Sequence, residues 1–287
     1  MTVERQLVLR GLGVGAIGGI LAFIFARIFA EPQIQAAINY QNGRDAAQNA
    51  LAKAGSVPAV AGGPDIFSRA IQANVGLTAG MILLGVAMGA LYAVAYALAC
   101  GRVGNLRPRT LAMLVAVGGF LGFYLIPFIK YPANPPGIGN PDTIRARSGL
   151  YLVMVAAALV CLVLAVWLGQ RLKPRFGNWN ATLLAALACA VALGIVMAVL
   201  PSLGHLSANL PQYGNHATET PLALRNSRGQ ILYPGFPADV LFNFRLYSIT
   251  AQAILWSAIG LCFAPLADRL LSRPDAKPEP AATSTTA

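Results

Sequence analysis

Long apolar runs, separated by short polar turns and by three longer polar segments, dominate the pattern along this chain. Six of these runs reach the roughly 20 residues that a helix needs to cross a bilayer. No run shows the two-residue alternation of a membrane β-strand. The pattern predicts an all-α polytopic membrane helix bundle of six transmembrane helices, at about residues 7–30, 74–99, 110–129, 149–170, 181–203 and 246–267.

Basic residues orient the predicted helices. The turns after the second and fourth spans each carry three basic residues and no acidic residue. Short loops rich in Lys and Arg stay on the cytoplasmic side of a membrane. Both termini are therefore predicted to be cytoplasmic, with the spans arranged as three hairpins whose loops, at about residues 31–73, 130–148 and 204–245, face outward. In this interpretation residues 1–272 form one six-span membrane domain, and residues 273–287 form a disordered cytoplasmic tail.

The composition agrees with a membrane protein, since 56% of the residues are hydrophobic and only 11% are charged. The net charge of +11 could indicate nucleic-acid binding, but the basic residues lie in separate turns and form no continuous patch, so we predict no nucleic-acid partner. The four cysteines lie in or at the ends of apolar runs and give no disulfide framework. Cys161 and Cys189 fall near the middle of their spans, either as small apolar filler or as soft metal ligands.

A weak threefold repeat precedes the returning spans. The strings GPDIFSRAI, NPDTIRARS and FPADVLFNFR each place an aspartate after a proline and an arginine further on. These residues could simply start helices, because proline suits the first turn, an acid there meets the helix dipole, and Asn140 is a good N-cap. Alternatively, three carboxylates ring an outer mouth and attract cations. The aspartates are Asp65, Asp142 and Asp239, and the arginines are Arg69, Arg145 and Arg245.

Three further residues of the outward segments, Glu31, His205 and His216, could contact a metal cation transiently. Glu31 could instead pair with Arg27, four residues earlier on the same helix. The spans carry almost no charge in their middles, which argues against an ordinary proton relay. No catalytic or phosphate-binding motif occurs in a suitable context, so the chain is not predicted to be an enzyme.

Glycines four residues apart recur along the predicted spans. Such spacing lets helix backbones approach closely, either within one chain or against a partner helix. The sets are Gly11–Gly15–Gly19, Gly76–Gly80, Gly85–Gly89 and Gly118–Gly122.

The segment PFIKYPANPPGIGNPDTIRAR, between the third and fourth spans, is stiffer than a simple connection requires. Together with FPADVLFNFR, AQAILW from Ala251 and the Glu31–Pro32 exit of the first span, it resembles the CbtA family along nearly the whole chain. The residues that we assign to a structural loop motif are Pro127, Lys130, Tyr131, Pro132, Asn134, Pro135, Pro136, Arg145, Pro237 and Arg245.

The resemblance implies a multi-pass cobalt transporter subunit of the bacterial cytoplasmic membrane. It also implies a small single-span companion, CbtB, with a histidine-rich metal-binding end. No permanently bound cofactor is expected, and cobalt or another divalent metal would be the substrate. The function expected is that of a membrane subunit of a divalent-metal importer, with metal passing through the three outward loops. The alternative is a non-transporting scaffold or assembly partner for the small metal-binding subunit.

Overall fold

The computed structural model describes residues 3–53, 68–104, 106–209 and 219–271. These residues form an all-α membrane bundle with one two-stranded antiparallel sheet. The α-helices are α1 Val3–Phe25, α2 Glu31–Lys53, α3 Arg69–Ile71, α4 Leu77–Ala99, α5 Pro108–Gly119, α6 Ile126–Lys130, α7 Ile144–Val199 and α8 Ala238–Leu271. The π-helical segments are Ala26–Ala30, Gln72–Gly76 and Phe120–Leu125, the 3₁₀ turns are Pro141–Thr143 and Leu203–His205, and the strands are β1 Leu224–Arg225 and β2 Ile231–Tyr233.

Within this described part of the chain, five continuous helical stretches are long and apolar enough to cross a membrane. The fourth, Pro141–His205, contains two of the predicted spans and is interrupted at Gly177, whose φ of 73° and ψ of 173° are not helical. A methyl group on Gly169 would lie 3.6 Å from the Ala185 Cβ. In an unbroken helix these residues would be about 24 Å apart, so α7 doubles back at Gly177. The count of six crossings stays a prediction.

The first predicted outward segment differs from the expected loop, because the helix does not end at Pro32. It continues through the π-helical segment Ala26–Ala30 into α2 and ends at Lys53. A proline in a helix interior loses a hydrogen bond and clashes with the preceding turn. Here Pro32 is the second residue after a π-helical turn, where the regular hydrogen-bond ladder is already shifted, so the helix can pass through it.

Helices α1 and α4 approach each other through their glycines. A methyl group on Gly15 would collide with the Gly85 carbonyl oxygen, and one on Gly11 would collide with that of Gly89. The close packing predicted from the spacing of Gly11–Gly15–Gly19 and Gly85–Gly89 is therefore confirmed within one chain, whereas a methyl group on Gly80 or Gly118 would meet nothing within 4 Å. Gly85 and Gly89 are consequently not available to a partner helix.

Helix α8 completes this main body by packing against α1 and α5. The Phe263 ring meets those of Tyr92 and Tyr96 edge-on, with centroids 5.0 and 5.1 Å apart. The Tyr92 hydroxyl donates to the Ala112 carbonyl oxygen at 2.8 Å, which satisfies the polar end of a buried ring. The α7 hairpin lies outside this body and packs on α6 and the adjoining π-helical segment.

Helix α2 and the β1–β2 hairpin join the ends of the bundle that are predicted to face outward. The Tyr40 hydroxyl donates to the Pro234 carbonyl oxygen at 2.8 Å, and its ring lies 5.1 Å from that of Phe236. The segment before α8 is thereby anchored to the extended first helix. The predicted tail and two of the candidate ligands, Asp65 and His216, lie outside the described residues.

Candidate functional site

A buried polar cluster lies where two of the predicted outward segments meet. Asn140 caps the 3₁₀ turn before α7, Thr143 is the last residue of that turn, and Arg147 follows one turn into α7. Asn209 follows the second 3₁₀ turn, and Glu219 precedes the β-hairpin. The Asn209 and Glu219 side chains are fully buried, although Glu219 carries a carboxylate.

Glu219 is held by three side chains. Its Oε1 accepts from Thr143 Oγ1 at 2.6 Å and from Asn209 Nδ2 at 2.7 Å. Its Oε2 lies 3.1 Å from Arg147 Nε, but among the described residues neither of these two atoms has a hydrogen-bond partner. The pair is therefore held by charge without a well-directed hydrogen bond. The Arg147 side chain is 28% exposed, so it connects the buried carboxylate to the surface.

Local sequence explains how the cluster forms. Asn140 Oδ1 accepts from the Asp142 backbone N–H at 3.0 Å, which confirms the predicted N-cap. Gly139 has a φ of 132°, and a methyl group there would lie 2.9 Å from an Arg147 nitrogen and 3.3 Å from Glu219 Oε2. A side chain at Gly139 would thus be strained by the backbone and would press on the ion pair.

A groove of about 480 Å³ opens beside this cluster. Its polar lining includes Tyr131, Asn134, Arg147 and Ser148, and its apolar lining includes Leu203. The Tyr131 hydroxyl donates to the Pro201 carbonyl oxygen at 2.8 Å. Burial raises the pKa of Tyr131 above its ordinary value, so the phenol remains a neutral donor. Among the described residues that line the groove, Arg147 supplies the cationic group.

The proline-rich loop is joined to α8 by a motif residue. Arg245 donates through Nε to the Ala133 carbonyl oxygen at 3.1 Å and through its terminal nitrogen to Asn134 Oδ1 at 2.9 Å. The Lys130 ammonium lies 5.7 Å from the centre of the Tyr131 ring. Of the other motif residues, Pro127 and Pro135 are buried, Pro132 lines the groove, Pro237 directly precedes α8, and Pro136 and Arg145 are exposed.

We expect the Arg245–Asn134 contact to stabilise this loop measurably. Asn134→Ala should lower the free energy of unfolding by about 1.5 kcal/mol, because a hydrogen bond to a charged group is lost, and Arg245→Ala should lower it further, because the bond to Ala133 is lost as well. The double variant should lose less than the sum, since both changes remove the same bond. Thermal unfolding of the purified protein measures this coupling. Arg145→Ala is the control, because that side chain is exposed, and additive losses would contradict the assignment.

The predicted ligands do not form one cluster. Asp142 and Asp239 are exposed in the first turns of their helices, where the described residues offer neither carboxylate a hydrogen-bond or ion-pair partner. His205 is also exposed, and its Nδ1 lies 2.7 Å from Ser202 Oγ. Glu31 is buried and pairs with Arg69, whereas its suggested partner Arg27 donates to Asn74. In the part of the chain that is described, no three His, Cys, Asp or Glu residues are grouped to hold a metal.

Sequence reasoning missed the residues that do come together. Thr143 and Arg147 are four residues apart, so helical spacing could have placed them on one face. Asn140 was recognised only as a helix cap. Asn209 and Glu219 carry no local signal, because their partners Asn140, Thr143 and Arg147 are 69 to 76 residues earlier in the chain and only the fold brings them together.

Comparison with known proteins supports the resemblance. A search among curated proteins found no match, and a search among solved structures found none either. The model of the family described as "Probable cobalt transporter subunit (CbtA)" matches residues 4–268. Because that match covers nearly the whole chain, which forms a multi-pass bundle of apolar helices, the protein belongs to the CbtA family of cobalt transporter subunits.

Proposed function

We propose that this chain is the membrane subunit of a cobalt importer, and that the metal passes from the outward segments into the bundle. The family assignment supports a transporter subunit that has cobalt as its substrate. The proposed path of the metal is supported by one observation: the fully buried Glu219 carboxylate lies beside a groove on the predicted outer side. A carboxylate out of water needs a cation nearby.

Arg147 supplies that cation in the structure described here, but its contact with Glu219 lacks a directed hydrogen bond. A divalent metal carries twice the charge of a guanidinium. Cobalt also accepts carboxylate ligands, and the neighbouring Thr143 hydroxyl adds a further oxygen atom. We therefore propose that incoming cobalt exchanges with Arg147 at Glu219.

The exposed aspartates have a complementary role in this proposal. Carboxylates on an outer surface raise the local concentration of cations, even without forming a closed site. Asp142 lies on the first turn of the helical segment that carries Arg147, so it would collect metal close to the groove. Asp65, Asp239, His205 and His216 stay candidate transient ligands. Glu31 is already paired with Arg69, and we assign it a structural role.

A subunit requires a partner, and we propose that it is a small single-span protein with a histidine-rich end, of the CbtB type. That partner would capture metal, since this chain has only two histidines. We also propose the bacterial inner membrane as the location, with both termini in the cytoplasm. A family of transporter subunits is consistent with the prediction that the chain is not an enzyme.

Uptake of radioactive cobalt by a transport-deficient bacterial host tests the role of the outer aspartates. We expect Asp142→Asn combined with Asp239→Asn to reduce uptake several-fold, with a near-normal yield of folded protein. Glu4→Gln is the control, because it removes a carboxylate from the predicted inner side. If the aspartate variant fails to accumulate instead, these residues act as helix starters and the collecting role is wrong.

The scaffold alternative requires a glycine-rich helix face that is free to hold a companion helix. The Gly85–Gly89 face is occupied by α1, whereas Gly80 is exposed and a methyl group there would meet nothing within 4 Å. Gly76 is also exposed. Of the Gly85–Gly89 and Gly76–Gly80 faces, only Gly76–Gly80 is therefore open to a companion helix.

A further inference from the structure

Two basic turns from different hairpins lie side by side at the end of the bundle that is predicted to face inward. The Gln170 side chain, near the turn of the α7 hairpin, donates through Nε2 to the Val103 carbonyl oxygen at 3.1 Å. A methyl group on Gly104 would lie 3.9 Å from the same side chain. The turn between α4 and α5 is therefore joined to the turn of the α7 hairpin, although the bonded residues are 67 positions apart.

The joined turns carry basic side chains that no acid compensates. All of them are exposed, and none has an ion-pair partner in the described part of the chain. The positive-inside rule accounts for each basic turn alone, but not for two of them being held together. Like charges held together repel each other, so the combined surface favours an anionic partner. The residues are Arg102, Arg107, Arg171, Lys173 and Arg175.

Aromatic rings border this basic surface on the side of the α7 hairpin. The Arg171 guanidinium lies 5.5 Å from the centre of the Trp167 ring, and that of Arg175 lies 5.5 Å from the centre of the Phe176 ring. A guanidinium held over a ring keeps its N–H donors available for a phosphate. Trp179 is 75% exposed, and tryptophan is enriched at the level of lipid headgroups. The surface therefore has the composition of a headgroup-binding site.

An opening between α5 and the first half of the α7 hairpin adjoins the basic surface. Further from the turns the helices touch, since a methyl group on Gly122 would lie 2.6 Å from Leu159 Cδ2. One turn nearer the basic surface, a methyl group on Gly118 would meet nothing within 4 Å, and Leu114 is 52% exposed. The contacts at Leu159 and Gln170 are about 16 Å apart along α7. The hydrocarbon of one leaflet is about 15 Å thick, so the opening matches the length of an acyl chain.

We propose that this surface binds an anionic phospholipid, with its phosphate on the arginines of both turns and one acyl chain in the opening beside Gly118. Arginine binds phosphate through paired N–H donors, and basic residues at a membrane surface attract anionic headgroups. A zwitterionic headgroup carries its own ammonium, which the basic side chains would repel. The binding is separate from the groove beside Arg147 and does not depend on transport.

Native mass spectrometry of the purified full-length chain in a neutral detergent tests the headgroup site. We expect phosphatidylglycerol to bind at least about ten-fold more tightly than phosphatidylcholine with the same acyl chains. Arg107→Gln combined with Arg171→Gln should remove most of this preference, because each turn loses a guanidinium. Arg225→Gln combined with Arg228→Gln is the matched control, since it removes two exposed arginines from the β-hairpin and should keep the preference.

Leucine at Gly118 tests the position of the acyl chain. It fills the opening without changing any charge, so we expect several-fold weaker binding of phosphatidylglycerol. Gly13→Leu, at an open position on α1, should bind like the wild type. Equal binding of the two lipids by the wild type, or an unchanged preference in the Arg107/Arg171 variant, would overturn the headgroup site. Normal binding by Gly118→Leu would overturn the placement of the acyl chain.

Discussion

Leucine in place of Gly15 is expected to prevent this chain from forming its membrane bundle. Any side chain at Gly15 meets the Gly85 carbonyl oxygen and the Gly89 Cα, which are backbone atoms of α4. Overpacking an ordinary core costs about 1–3 kcal/mol, because side chains can shift. Backbone atoms cannot rotate away, so we expect the loss to exceed about 3 kcal/mol.

The measurement is the fraction of solubilised protein that remains monodisperse, together with its thermal midpoint. Gly13→Leu is the matched control, because it lies on the same helix two residues away, is exposed, and has no atom within 4 Å of an added methyl group. The control should behave like the wild type. If Gly15→Leu does so as well, α1 and α4 are not packed as described.

The second large effect is expected at Glu219. Glutamine at this position keeps the acceptor for Thr143 and Asn209 but removes the charge that faces Arg147. Breaking a buried ion pair costs about 3–5 kcal/mol when the other charge is left uncompensated. We expect the lower end of that range, because the Arg147 side chain is 28% exposed and water can reach it.

Removing both charges separates folding from transport. Glu219→Gln with Arg147→Met should recover most of the thermal stability, because no unpaired charge remains. Cobalt uptake should stay low, since the carboxylate that we assign to the metal is still absent. Wild-type uptake by the double variant would show that the pair only holds the outer segments together.

The bundle itself could be predicted because its determinants are local. Apolar length alone specifies helices that need a bilayer. The Gly11–Gly15–Gly19 spacing indicated a close helix contact, and Asn140 indicated a helix start. Both were confirmed, because a helix face and a cap depend on residues within a few positions of each other.

The site could not be predicted to the same extent, because its partners are distant in sequence. The Glu219–Arg147 pair joins residues 72 positions apart, and neither residue stands out in its own segment. The first span was predicted to end near residue 30, with its exit at Glu31–Pro32, but the helix continues through a π-helical turn into α2. The fourth and fifth predicted spans were separate helices in the sequence pattern, and the turn at Gly177 places them side by side.

The most direct test of the central claim is radioactive cobalt uptake in a transport-deficient bacterial host, with nickel as competitor. The strains would express this chain alone, the small companion alone, or both, with membrane insertion confirmed in each. The account predicts uptake that requires this chain and resists excess nickel. No uptake in any combination would contradict it, and would favour a scaffold role instead.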